Sequence, residues 1–169
     1  MKEVLMDLSK FNDSEIIDLY SKTIKELKKR NIIRTKNITG ELGEYIAVEY
    51  YRNNPKLPNL QFSPPSTENI NAISNKGERY SIKTITNNGS TGVFYGLPSI
   101  DYTETPIQKF EYVIIVKLND DFELECILEL TWKEFLENKK WHSRMNAWNL
   151  SYNKKLKQKT KNIYCTKGI

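Results

Sequence analysis

The sequence predicts one α/β domain, and three observations carry that reading. Two stretches near the N-terminus repeat apolar residues at three- and four-residue intervals, the period of a helix face. Two pairs of short strand-like runs follow, each pair joined by a tight turn. The chain has 169 residues, enough for one core and short for two.

The first helix begins near Asn12, which with Glu15 has the spacing of a capping box. Ile16, Ile17, Tyr20, Ile24 and Leu27 form a single stripe, expected to pack on the core. Lys25, Lys28, Lys29 and Arg30 gather at its end, where cations suit the helix dipole. A second helix runs from about Thr39 to Arg52, burying Leu42, Tyr45, Ile46, Ala47, Tyr50 and Tyr51. Gly40 and Gly43 weaken its first turn, so a close approach is expected there. Pro55, Pro58, Pro64 and Pro65 then mark a loop, with Leu60 to Phe62 as a short strand.

Asn69–Ser74 and Arg79–Thr84 read as strands of a hairpin around Asn75-Lys76-Gly77. In that register Asn71 lies opposite Ser81, and Lys83 follows on the same face. Ile70, Ala72, Tyr80 and Ile82 take the other face. Residues 86–108 show no sustained period, and a loop of that length is usually functional or mobile. Tyr112–Leu118 is nearly all apolar, as in a central strand covered on both sides. Phe122–Leu130 pairs with it, and Thr131 with Glu134 caps a helix reaching about Asn138. A sheet of four to five strands flanked by helices results.

Composition narrows the chemistry. No run of 18 apolar residues is present and the first fifteen residues lack a secretory signal, so the expectation is a cytoplasmic protein with no membrane partner. Cys126 and Cys165 lack metal or redox spacing and read as two free thiols, with a disulfide between them the lesser alternative. A single histidine, His142, removes most imidazole-based catalysis. The net charge of +5 is uneven: residues 138–169 hold nine Lys and Arg and no acid. The chain is therefore read as one domain, a core over 1–137 with a basic extension over 138–169 packed on it. Lys139, Lys140, Arg144, Lys154 and Lys155, set among Trp141, Trp148 and Tyr152, are the candidate nucleic-acid contacts. Alternatively, the aromatics close the core and the lysines solvate an exposed end.

Glu41 and Glu44 on the second helix, and Asn71, Ser81 and Lys83 on the hairpin, follow an order of their own. With Arg34-Thr35-Lys36-Asn37, Gly40 to Glu44, Asn69-Ile70-Asn71-Ala72 and Gly77 to Lys83, the chain resembles small bacterial members of the PD-(D/E)XK superfamily over about residues 14–135. The resemblance implies a restriction-endonuclease-like core with a mixed central sheet, acting on DNA with Mg²⁺. It implies Glu44 (or Glu41) and Asn71 beside the metal, Ser81 next to it, and Lys83 on the attacking water. Homodimers that cut both strands are common in that superfamily, although no dimer helix is legible here. The sequence departs where the superfamily's anchoring aspartate and Glu or Gln should stand, which are Asn71 and Ser81. Glu68 and Glu78 are the nearby acids that could substitute. Two readings follow: a Mg²⁺-dependent endodeoxyribonuclease with an eroded site, or an inactive module that binds DNA or a protein partner.

Overall fold

The computed structural model describes residues 6–64, 67–86 and 89–166. Pro65 and residues 87–88 of the long loop lie outside these. Among the described residues, four helices, α1 (Asp13–Lys29), α2 (Ile38–Arg52), α3 (Trp132–Asn138) and α4 (Lys154–Lys159), accompany eight strands. The strands are β1 (Leu60–Phe62), β2 (Ala72–Ser74), β3 (Arg79–Ile85), β4 (Tyr112–Leu118), β5 (Leu124–Thr131), β6 (Lys139–His142), β7 (Ala147–Leu150) and β8 (Lys161–Cys165).

Six strands form one mixed sheet in the order β1-β2-β3-β4-β5-β8, one more than expected. Strands β3 and β4 run parallel, and the other neighbours in this sheet pair antiparallel. Arg79 holds the starts of β3 and β4 together, its guanidinium 2.7 Å from Glu111 Oε1. On one face α2 covers Tyr80, Ile82, Ile114, Val116 and Ile127 with Ala47, Val48 and Tyr51. On the other, Val113, Ile115, Leu128 and Leu130 pack against Phe94, Phe110, Phe135, Leu150 and Leu156. The alternation of β4 between these two clusters is why its sequence reads as a continuous apolar run.

The C-terminal stretch does more than pack on a finished core. β6 and β7 form a separate hairpin, and β8 becomes an edge strand of the main sheet by pairing with β5. That pairing sets Cys126 opposite Cys165, and the two are joined as a disulfide. The expectation of two free thiols is thereby corrected; register across strands, not spacing along the chain, brings the sulfurs together.

Both capping boxes form as expected, at Asn12/Glu15 and Thr131/Glu134. The stripe of α1 does not reach the core. No residue of this helix is buried, and Ile17 and Tyr20 remain 66% and 63% exposed. Strand β2 is shorter than expected because Asn69 adopts a left-handed conformation, φ 57°, and turns the chain before Ala72. Ile70 therefore leaves the Ala72 face and lines a cleft beside the hairpin. Gly77, at φ 83°, closes the β2–β3 turn as its position required.

Candidate functional site

The site begins with a close approach of helix to strand. A Cβ at Gly43 would run into the Thr84 side chain, so only glycine lets α2 lie this near β3. Thr84 Oγ1 donates to the Gly40 carbonyl at 3.3 Å across the same contact. The first turn of α2, capped by Asn37 accepting from Gly40 N, is thus pressed toward the hairpin. Its two acids take different tasks. Glu41 is buried and accepts the backbone N–H groups of Arg34 and Thr35, tying down the link between α1 and α2. Glu44, one turn on, points to the hairpin, with the Arg34 guanidinium 3.3 Å from its Oε2.

Asn71 meets it from the strand side. Its Nδ2 donates to Glu44 Oε1 at 2.8 Å, and its Oδ1 accepts the Ile82 backbone N–H at 2.8 Å. These two bonds fix the amide orientation. Turned over, it would set oxygen against carboxylate and N–H against N–H. Burial lifts the Glu44 carboxyl above its ordinary 4.5, and neighbouring Glu41 adds to this. Arg34, Lys83 and the Asn71 bond oppose the rise.

Lys83 is held elsewhere. Its Nζ donates to the Val93 carbonyl at 3.0 Å and lies 4.7 Å from the Phe94 ring centroid. Burial lowers its pKa, and the Glu44 charge acts in the opposite sense. Ser81 is fully buried, and its Oγ has no hydrogen-bond partner among the described residues. Glu44 and Asn71 thus stand in direct contact, Lys83 feels Glu44 only through space, and Ser81 is sealed below the surface. Glu78 is engaged by Ser74 Oγ at the hairpin turn, and Glu68 lies against Gly96. Neither substitutes for an acid at Asn71.

Glu41, Glu44, Asn71, Arg34, Ser63 and Ile70 line a cleft of about 470 Å³. Mg²⁺ binds through several oxygens with free lone pairs. Here Glu41 is taken up by backbone N–H groups, Glu44 by Arg34 and Asn71, and Asn71 offers the cleft's carboxylate a donor. No three His, Cys, Asp or Glu side chains converge on one point among the described residues. As arranged, this donor set does not fit Mg²⁺.

The chain matches no protein-family model and no curated protein.

The five basic residues singled out in the sequence sit on the β6–β7 hairpin, the turn within it and α4. Lys140, Arg144, Lys154 and Lys155 are exposed; Lys139 is half-buried, with Nζ 3.5 Å from the Trp148 ring centroid. None of the five forms an ion pair among the described residues. The tryptophans are committed to each other. Trp141 meets Trp148 edge-on at 5.0 Å, and Trp148 Nε1 donates to the Pro98 carbonyl. Trp148 is thus engaged by Trp141, Lys139 and Pro98, while both rings stay partly exposed.

Sequence reasoning missed the segment that links these two regions. Residues 89–98 run along β7, with Thr91 N donating to Leu150 O at 2.9 Å and Phe94 N to Trp148 O at 2.7 Å. The same segment supplies Val93 O to Lys83. Its sequence signal was the short apolar run Val93, Phe94, Tyr95 and Leu97 within the long loop.

Proposed function

We propose that the chain is a DNA-binding module on a restriction-endonuclease-like scaffold whose former catalytic positions now serve as a structural hydrogen-bond network. The observation that carries this reading is the Asn71 amide, which donates to Glu44 and accepts from Ile82 N where the superfamily pattern has a metal-anchoring acid. A carboxylate facing Glu44 would need a cation or a shared proton between the two; an amide needs neither. Lys83, donating to the Val93 carbonyl outside that network, has a holding role for the 89–98 segment.

Support for DNA as the ligand is electrostatic. Lys140, Arg144, Lys154 and Lys155 are exposed cations without acidic partners among the described residues, on a stretch lacking any acid. Such groups bind backbone phosphates and release counterions, so binding weakens steeply with salt. The test is duplex binding across a salt series, for the wild type and for Lys140, Arg144, Lys154 and Lys155 changed together to Gln. Truncation at Asn138 is unsuitable, because it removes β8 from the sheet. The expected result is a log K–log salt slope shallower in the variant by about 0.9 for each phosphate that is no longer neutralised. An unchanged slope rejects the assigned surface.

One observation favours the enzymatic reading: Glu44, which lines the open cleft, still senses the charge of Lys83 through space. Plasmid nicking with Mg²⁺ or Mn²⁺ that disappears in Lys83→Ala would establish that reading and reject the non-cleaving one.

A further inference from the structure

The first half of the apolar face of α1 is left open by the described residues. Ile17 and Tyr20 are largely exposed, and Ile24 and Leu27 continue their line half-buried. The spacing 17, 20, 24, 27 alternates three and four, the seam of a two-helix coiled coil. Phe11 and Ile16, both exposed, occupy the positions of a hydrophobic staple and extend the apolar surface at its start. At 17 residues the helix is about 25 Å long. A helix of this size gains most of its stability from packing its apolar face, and here only the Ile24–Leu27 end of that face is partly covered.

Charge along α1 is graded. Asp13, Glu15 and Asp18 occupy the first part, where no Lys or Arg stands. Lys22, Lys25, Lys28 and Lys29 occupy the rest, where the one acid, Glu26, is bound by Arg30 at 2.8 Å. Such a helix complements itself when turned end for end. A parallel pairing sets acid on acid and base on base, whereas an antiparallel one sets each acidic start on a basic end. An isologous two-fold contact requires that property, and an unrelated partner does not.

We propose that α1 is a dimerisation helix whose partner is α1 of a second copy, antiparallel about a two-fold axis near Lys22. In that arrangement Ile17 of one copy meets Leu27 of the other, and Tyr20 meets Ile24. The helix dipoles oppose, and the acids at residues 13–18 lie near the lysines at 25–29. The proposal is independent of the DNA reading, since it uses none of the same residues.

The test is the mass of the full chain in solution by light scattering and sedimentation. The wild type is expected to dimerise at tens of micromolar, and Ile17→Lys with Tyr20→Lys should raise the dissociation constant about tenfold or more. Two charge variants that spare the capping residue Glu15 make the geometry falsifiable: Asp13→Lys with Asp18→Lys in one chain, and Lys25→Glu, Lys28→Glu, Lys29→Glu in the other. Each alone should be monomeric, and an equimolar mixture should regain dimer mass. Circular dichroism should show that all variants keep the fold, since the substitutions lie outside the core. A monomeric wild type, a dimer indifferent to the stripe substitutions, or charge variants that do not pair on mixing would each overturn the proposal.

Discussion

Asn71 donates its side-chain amide to Glu44 across 2.8 Å while its carbonyl oxygen holds the Ile82 backbone N–H, so one residue joins α2 to the middle of β3. The bond is between a neutral donor and a largely buried carboxylate, a class of hydrogen bond stronger than one between neutral groups.

Replacing that donor is the sharpest probe of the site. Asn71→Asp leaves two carboxylates in contact and should cost about 1–3 kcal/mol at neutral pH. Mutual repulsion raises their pKa on folding, so the lost stability should return as pH falls. Added Mn²⁺ or Mg²⁺ should raise the Tm of the variant and leave the wild type unchanged. Equal shifts in both proteins would show that the amide does not govern cation binding.

Glu44 predicts a pH dependence in the unmodified site. Burial raises its carboxyl above 4.5 in the folded chain, with Arg34 the main opposing charge. A carboxyl raised on folding binds protons more tightly in the native state. Its contribution to stability is therefore present at low pH and lost as pH climbs from 4.5 through the raised value. Glu44→Gln removes this titration. Urea midpoints should move in favour of the variant as pH increases through that window; a gap that stays constant or moves the other way contradicts the assignment.

Gly43 should tolerate no side chain. A Cβ there meets Thr84, and the backbone of α2 has to shift to admit it. Gly43→Ala is expected to destabilise by about 1–3 kcal/mol despite alanine's better helix propensity. Thr84→Ala should recover part of the loss, and a double-mutant cycle measures the coupling. Additive effects would mean the helix and strand are not in contact.

The Cys126–Cys165 link closes a loop with a sequence separation of 39 residues. Removing it, by Cys126→Ser with Cys165→Ser, should lower unfolding stability by about 2–4 kcal/mol. A reductant should lower the Tm of the wild type but not of the double variant. Two thiols titrating in the untreated, folded protein would rule out the pairing.

Local chemistry was well legible in the sequence. Asn12 with Glu15 and Thr131 with Glu134 announce helix starts because capping is decided within four residues. Gly43 announces a close approach, and the Asn71–Glu44 contact follows from the order of helix and hairpin. What a greasy face lies against is a different kind of fact. The period of Ile17, Tyr20, Ile24 and Leu27 specifies a helix with one apolar side, and nothing in that period separates a core contact from an exposed one. Lys161–Cys165 reads as a basic tail because an edge strand needs little apolar surface, so β8, and with it the cysteine pairing, was hidden by composition. Lys83 shows the same limit: its place on the hairpin was readable, but its Val93 partner depends on how a long loop is laid across the sheet.

The strap over Lys83 has a consequence for the order of folding. Leu150 N donates to Thr91 Oγ1, a bond spanning 59 residues of sequence, and Tyr152 N reaches back to Gly89 O. During synthesis, β3 and β4 leave the ribosome well before the segment that clamps residues 89–94 exists. The strap, with the ring of Phe94, therefore lacks its anchors on β7 until residue 152 has emerged, and contacts this distant in sequence form slowly. Pulse-labelled amides of residues 91 and 94 should gain protection late, together with those of β7 rather than with their immediate neighbours in β3.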